Sequence, residues 1–153
     1  PEDNVFDVAL SASGDELEVD TGDGPQSFDL ASVDRLCLEG RRGADTITID
    51  PDIEIPAHIL GGRGGDEIVG GSGPDRIRGG RGTDGIDGWA GDDVLRGRRG
   101  ADLIMGGDGD DWLGGGRGPD EMDGGPGSDT MHGGRGADTD MNPDPADRVF
   151  DMP

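Results

Sequence analysis

The chain has little of what an ordinary globular domain is built from. Of its 153 residues 29% are apolar and 3% aromatic, tyrosine is absent, and Cys37 is the one cysteine. A lone cysteine excludes an internal disulfide framework, and its place in Leu36-Cys37-Leu38 predicts a small core residue, not a reactive thiol. No apolar run is long enough to cross a bilayer, and no basic start followed by an apolar stretch is present. The opening Pro1-Glu2-Asp3-Asn4 reads as the start of a piece of a longer protein. Catalytic signatures are missing too. His58 and His132 are the only histidines, and there is no His-Glu-x-x-His, no nucleophile elbow and no phosphate loop between a strand and a helix. The expectation is a chain that is not an enzyme.

What is abundant is acid and glycine. The formal net charge is -22 and there are 33 glycines. Low hydrophobicity with high net charge marks disorder when residues are arranged at random, because too little apolar surface offsets chain entropy. Glycine raises the ordering cost further. The acidic balance argues against nucleic acid, whose phosphates it repels, and makes divalent cations the natural partner.

The order of the residues overrides the composition. From Gly61 to Met141 the chain is an uninterrupted nine-residue repeat: GGRGGDEIV, GGSGPDRIR, GGRGTDGID, GWAGDDVLR, GRRGADLIM, GGDGDDWLG, GGRGPDEMD, GGPGSDTMH, GGRGADTDM. Positions one and four are always Gly and position six is always Asp. Position eight is Ile, Leu or Met except at Asp140. A flexible linker would not hold Asp and a large aliphatic in phase, and a period of nine excludes the every-third glycine of collagen. Position three adds a second period. Arg63, Arg81, Arg99, Arg117 and Arg135 occupy it in the odd copies, 18 apart, whereas the even copies have Ser72, Ala90, Asp108 and Pro126. Arg42 extends the column if residues 40–60 form one coil with three extra residues.

This pattern, G-G-x-G-x-D-x-U-x, resembles the calcium-binding repeats of the hemolysin-type toxins, the RTX family. The resemblance implies an all-β fold, a right-handed parallel β-roll with two nonapeptides per coil, whose odd and even turns lie on opposite edges. Each copy divides into a GGxGxD turn and a three-residue strand with its middle residue inward. Ile68, Ile77, Ile86, Leu95, Ile104, Leu113, Met122 and Met131 then form a thin core. The resemblance further implies Ca²⁺ between successive turns, held by turn carbonyls such as those of Gly88, Gly91, Gly106 and Gly109 and by the position-six carboxylates. These are Asp75, Asp93, Asp111 and Asp129 on the even edge, and Asp66, Asp84, Asp102, Asp120 and Asp138 on the odd edge. Position five keeps Asp92 and Asp110 on the even edge but has Gly65, Thr83, Ala101, Pro119 and Ala137 on the odd edge, so the strongest site is expected between turns 88–93 and 106–111.

An arginine ladder at the strand spacing of roughly 4.8 Å costs about 0.9 kcal/mol per neighbouring pair even in water. Two readings follow: Arg42, Arg63, Arg81, Arg99, Arg117 and Arg135 bridge odd-edge aspartates and displace calcium there, or they extend into solvent. Around the repeat, period-two alternation in Phe6, Val8 and Leu10, Leu17 and Val19, and Phe28 and Leu30 predicts short strands. Turns are expected at Ser13-Gly14-Asp15 and Gly22-Asp23-Gly24-Pro25. Residues 1–39 are expected to be an N-terminal β cap, 40–60 an irregular first coil with a longer turn over 49–60, 61–141 the roll, and 142–153 an eroded half-coil in which Asp147 and Val149 keep the phase. The functional expectation is a non-catalytic, secreted or surface-exposed bacterial module that folds on binding calcium. The alternative is an adhesive or partner-binding surface, with Trp89 or the Val94–Trp112 pair as contact points.

Overall fold

The computed structural model describes residues 3–11, 14, 16–21 and 26–152. The predicted turn 22–25, together with Ser13 and Asp15 of the other, lies outside them. Sixteen strands form two sheets. One sheet contains β1 (Val5–Leu10), β2 (Glu16–Asp20), β3 (Gln26–Asp29), β5 (Thr46–Ile49), β7 (Glu67–Val69), β9 (Gly85–Asp87), β11 (Leu103–Met105), β13 (Glu121–Asp123) and β15 (Thr139–Asp140). The other contains β4 (Leu36–Arg42), β6 (Ala57–Arg63), β8 (Arg76–Arg81), β10 (Val94–Arg99), β12 (Trp112–Arg117), β14 (Thr130–Arg135) and β16 (Arg148–Phe150). We refer to them as the short-strand and long-strand sheets.

Successive coils pair in parallel at the 18-residue period: Leu95 faces Ile77 and Leu113, and Ile104 faces Ile86 and Met122. The molecule is therefore a parallel β-solenoid in which each coil crosses both sheets. The two sheets differ because the long strands continue through the first three residues of the odd turns, as Arg76-Ile77-Arg78-Gly79-Gly80-Arg81 does in β8.

Strand alternation buries one side chain in each copy. Ile59, Ile77, Leu95, Leu113 and Met131 from one sheet meet Ile47, Ile68, Ile86, Ile104 and Met122 from the other, all buried. Burial of such a side chain contributes about 1.5–3 kcal/mol. Each coil contributes only about two, so the core is one side chain thick along its length. The same alternation corrects the expectation for Cys37: it lies exposed beside His58, with Leu36 buried next to it and Leu38 partly buried. Phe28 is likewise exposed, not half-buried.

The coil at 40–60 carries three extra residues, since Arg42 pairs with Arg63. Its turn bends at Asp50, whose carbonyl accepts from Ile53 N–H, and returns Ile53 to the core. At the N-terminal end β1 pairs in parallel with β5, and β2 and β3 continue that sheet antiparallel. At the other end β16 stays in register with β14, Val149 opposite Met131, although its glycines are gone. Asp140 stands opposite Met122 in the position-eight column, where the roll ends.

Position two of the turn takes a left-handed backbone in every copy of the repeat except at Gly71: Gly62, Gly80 and Gly116 have φ of 122°, 130° and 116°. Arg41, Trp89 and Arg98 occupy the same position with φ of 79°, 76° and 83°. For a residue with a Cβ that conformation costs roughly 1–2 kcal/mol.

Candidate calcium centre

The position-six aspartates fold back into the turns they end. All nine of the repeat and Asp45 are buried; Asp93, for example, is 1% exposed. Each uses one oxygen in the same way. Asp66 N–H donates to Asp84 Oδ1 at 3.0 Å, Asp84 N–H to Asp102 Oδ1 at 2.9 Å, and Asp102 N–H to Asp120 Oδ1 at 3.0 Å. On the opposite edge Asp75 donates to Asp93, Asp93 to Asp111 and Asp111 to Asp129, at 2.7, 2.8 and 2.8 Å. A column of carboxylates thus runs along each edge, every rung tied to the next through a main-chain N–H.

The second oxygen is different. Oδ2 of Asp45, Asp66, Asp84, Asp93, Asp102, Asp111, Asp120, Asp129, Asp138 and Asp147 is buried and has no hydrogen-bond partner. Leaving such an acceptor buried and unpaired costs free energy, more so when it is charged. Only Asp75 escapes, because its Oδ2 accepts from Gly71 N–H at 3.0 Å.

The position-one glycine makes room for this oxygen. A Cβ on Gly88 would collide with Asp93 Oδ2 and stand 2.5 Å from the Gly106 carbonyl oxygen. On Gly61 it would collide with Asp66 Oδ2 and stand 2.8 Å from the carbonyl of Gly79. A carboxylate oxygen and a carbonyl oxygen of the next coil therefore border the small space that a side chain would fill. Among the described residues no three carboxylate, imidazole or thiol side chains converge. Any cation held in these turns must take main-chain carbonyls into its shell. Of the carbonyls expected from the sequence, those of Gly88 and Gly106 border the Asp75 and Asp93 cradles. Those of Gly91 and Gly109 lie under the position-four glycines Gly109 and Gly127 of the next coil.

The electrostatics require a counter-charge. Burial pushes the Asp93 carboxyl up to about 8, with the charges of Asp75, Asp111 and Asp92 adding to it. Burial likewise raises Asp111 to about 7, helped by Asp129, Asp92 and Asp110. Asp75, Asp84, Asp102 and Asp120 are raised to about 6, again by burial first, and Asp66 and Asp129 also move upward. The two highest values fall on the even edge, where position five supplies extra carboxylates: Asp110 N–H donates to Asp92 Oδ1 at 3.1 Å and Ser128 N–H to Asp110 Oδ1 at 3.0 Å.

Six arginines stand in register, as the alternation predicts: Arg42, Arg63, Arg81, Arg99, Arg117 and Arg135 pair rung by rung at the ends of the long strands. They do not bridge the odd-edge aspartates, which corrects that expectation. Among the described residues the one ion pair is Arg41 with Glu39, at 4.0 Å. The carboxylates are turned inward with Oδ1 already occupied, whereas the ladder arginines are exposed.

Two members of the carboxylate columns were not among the site residues expected from the sequence. Asp45 extends the odd column, receiving the main-chain and side-chain N–H groups of Asn4 on Oδ1 at 2.7 and 2.8 Å. Asp147 extends the even column, accepting from Asp129 N–H at 3.1 Å. Gly40-Arg41-Arg42-Gly43-Ala44-Asp45-Thr46-Ile47 is a full copy of the motif with Asp45 at position six, whereas Asp147 keeps that position in a copy that has lost its glycines.

A parallel solenoid whose two edges carry buried, half-satisfied carboxylates beside open carbonyls defines a metal-binding repeat protein. The family follows from the sequence comparison: the RTX calcium-binding nonapeptide repeat matches residues 60–95, 90–122 and 106–140, more than half of the chain, and the chain belongs to that family. Comparison with curated proteins and with solved structures yields no match.

Proposed function

We infer that this chain is a calcium-dependent folding module, a non-catalytic part of a larger bacterial protein that works outside the cell or at its surface. The observation carrying this reading is the double column of buried Oδ2 atoms without partners. A hard divalent cation accepts six to eight oxygens in irregular geometry and suits a shell of carboxylates and carbonyls. Asp66, Asp84, Asp102, Asp120 and Asp138 would hold it on one edge. Asp75, Asp92, Asp93, Asp110, Asp111 and Asp129 would hold it on the other, with the Gly88 and Gly106 carbonyls. The terminal Asp45 and Asp147 would extend the two sets.

When bound, Ca²⁺ supplies the positive charge that lets these carboxylates ionise inside the fold. The cradle joins atoms of consecutive coils, so it exists only when the coils are stacked, and binding free energy becomes folding free energy. Extracellular calcium modules bind at about 10⁻⁴ to 10⁻³ M. A chain of this kind stays open in a calcium-poor cytosol and closes after export. The cap read over 1–39 would act on the short-strand sheet through β1, β2 and β3, and the half-coil 142–153 would end the roll through β16 on the long-strand sheet.

Far-ultraviolet circular dichroism against calcium tests the reading. The expected result is a cooperative gain of β signal on adding calcium and its loss in chelator. An identical spectrum in both, with no calcium uptake, refutes it.

A further inference from the structure

All basic residues of this chain are arginines, thirteen of them, and they are segregated. Twelve lie on strands of the long-strand sheet, and Arg35 immediately precedes β4. That sheet has one acidic residue, Glu39. The short-strand sheet has ten acidic residues and no arginine. A chain of net charge -22 therefore presents one strongly basic face.

The arginines of that face converge on a groove. Arg41, Arg63, Arg81, Arg98, Arg99 and Arg117 line an open cleft of about 640 Å³ whose floor is Gly62, Gly80 and Gly116. Among the described residues five of the six have no carboxylate within ion-pairing distance, and Arg41 reaches Glu39 only at 4.0 Å. Nearby, burial and the charges of Arg78, Arg98 and Arg76 make the charged form of Arg96 harder to hold. Like charges stacked this way repel, and among the described residues only Glu39, beside Arg41, offsets them through an ion pair.

A second observation points to the same groove. Arg41 and Arg98 sit at the left-handed turn position that most coils give to glycine. Both strained side chains line the cleft. Left-handed backbone held at residues that carry a Cβ is strain of the kind that clusters at ligand-binding sites.

We propose that this glycine-floored arginine groove binds an extended acidic polysaccharide, a sugar chain bearing carboxylates or sulfates along its length. The guanidinium fork pairs with carboxylate and sulfate oxygens in two-point fashion. The ladder repeats such a fork at every coil, at about the 4.8 Å strand spacing, so a chain lying along the solenoid axis meets a new fork at each step. The cleft is lined from two adjacent turn positions, Arg41 and Arg98 beside Arg63, Arg81, Arg99 and Arg117, and runs from coil to coil along the solenoid. A single nucleic-acid strand needs aromatic faces on which its bases can stack. Three of the four rings on this sheet are already engaged, His132 stacking on Phe150 with centroids 4.7 Å apart and Arg96 covering Trp112 at 4.7 Å, and no ring lines the groove.

The test uses the calcium-saturated chain and fluorescence anisotropy of a labelled heparin oligosaccharide. Unlabelled hyaluronate, neutral dextran and oligothymidylate serve as competitors. Heparin or hyaluronate is expected to bind with marked salt dependence and dextran not at all. Arg81→Gln with Arg99→Gln should weaken binding by about tenfold or more and flatten the salt slope by one to two. Arg35→Gln with Arg148→Gln, outside the groove, should leave it unchanged. Arg98→Gly guards against misfolding: it restores the glycine of neighbouring coils, so the variant should melt no lower than the parent yet bind the sugar chain more weakly. Equal binding by the Arg81/Arg99 variant and the parent overturns the proposal. So does competition by oligothymidylate as strong as that by hyaluronate, or an Arg98→Gly variant with undiminished affinity.

Discussion

Placing a single methyl group at Gly88 separates the metal cradle from the rest of the fold. Its Cβ would overlap Asp93 Oδ2 and lie 2.5 Å from the Gly106 carbonyl oxygen, a contact that forces the carboxylate or the next coil to move. Overpacking of this kind costs about 1–3 kcal/mol, which at 1.4 kcal/mol per decade weakens binding about five- to hundredfold. Gly85 is the internal control, because a Cβ there meets nothing within 4 Å and the backbone has no positive φ. Gly85→Ala should instead be neutral or stabilising by up to about 1 kcal/mol, since alanine narrows the unfolded ensemble. Isothermal calorimetry with calcium, read beside the circular-dichroism midpoint, measures both effects. The expected pattern is one weakened class of sites and a raised calcium midpoint for Gly88→Ala, and a midpoint equal to or below the parent's for Gly85→Ala. Identical calcium curves for the two variants would refute the cradle.

The raised carboxyl groups set a pH dependence for the calcium-free chain. Groups whose folded values exceed the unfolded one favour folding while protonated, so residual structure in chelator should be greatest below the ordinary carboxyl value of 3.8 and fall as pH rises through the values of about 6 to 8 given by Asp84, Asp111 and Asp93; a pH-stat should record protons released as calcium binds near neutrality. Leu95→Ala, in a fully buried column, should cost about 2–5 kcal/mol in denaturant unfolding of the calcium-loaded chain. Trp89→Gly should stabilise by roughly 1 kcal/mol by relieving a φ of 76°, read as a higher melting temperature. Cys37, exposed on β4, should react with a thiol reagent at full calcium saturation, whereas a core cysteine would be protected.

Much of the architecture was legible because the repeat states each requirement many times over. Gly at positions one and four, Asp at six and an aliphatic at eight recur in phase, so the turn, the carboxylate that ends it and the core residue were all legible in the sequence. The copies outside the uninterrupted run were harder. Asp45 and Asp147 join the carboxylate columns through contacts with Asn4 and Asp129, and only stacking reveals those. Cys37 was misplaced because an apolar triplet looks like core, whereas a strand sends every second side chain outward.

The nonapeptide alone determined the period and, through the alternation of arginine, the two distinct edges, since both depend on residue spacing along one chain; the parallel stacking was implied by the resemblance to the RTX repeats. Tertiary structure decided where the charges went. The arginines and aspartates alternate within a few residues of one another in sequence, which made bridging plausible. In the folded coil the carboxylates turn inward toward the glycines and the guanidinium groups stand outside on one sheet. The physical reason is that proximity along the chain says nothing about which side of a strand or turn a side chain leaves from, and in a solenoid that choice separates a metal-ready interior edge from a basic outer face.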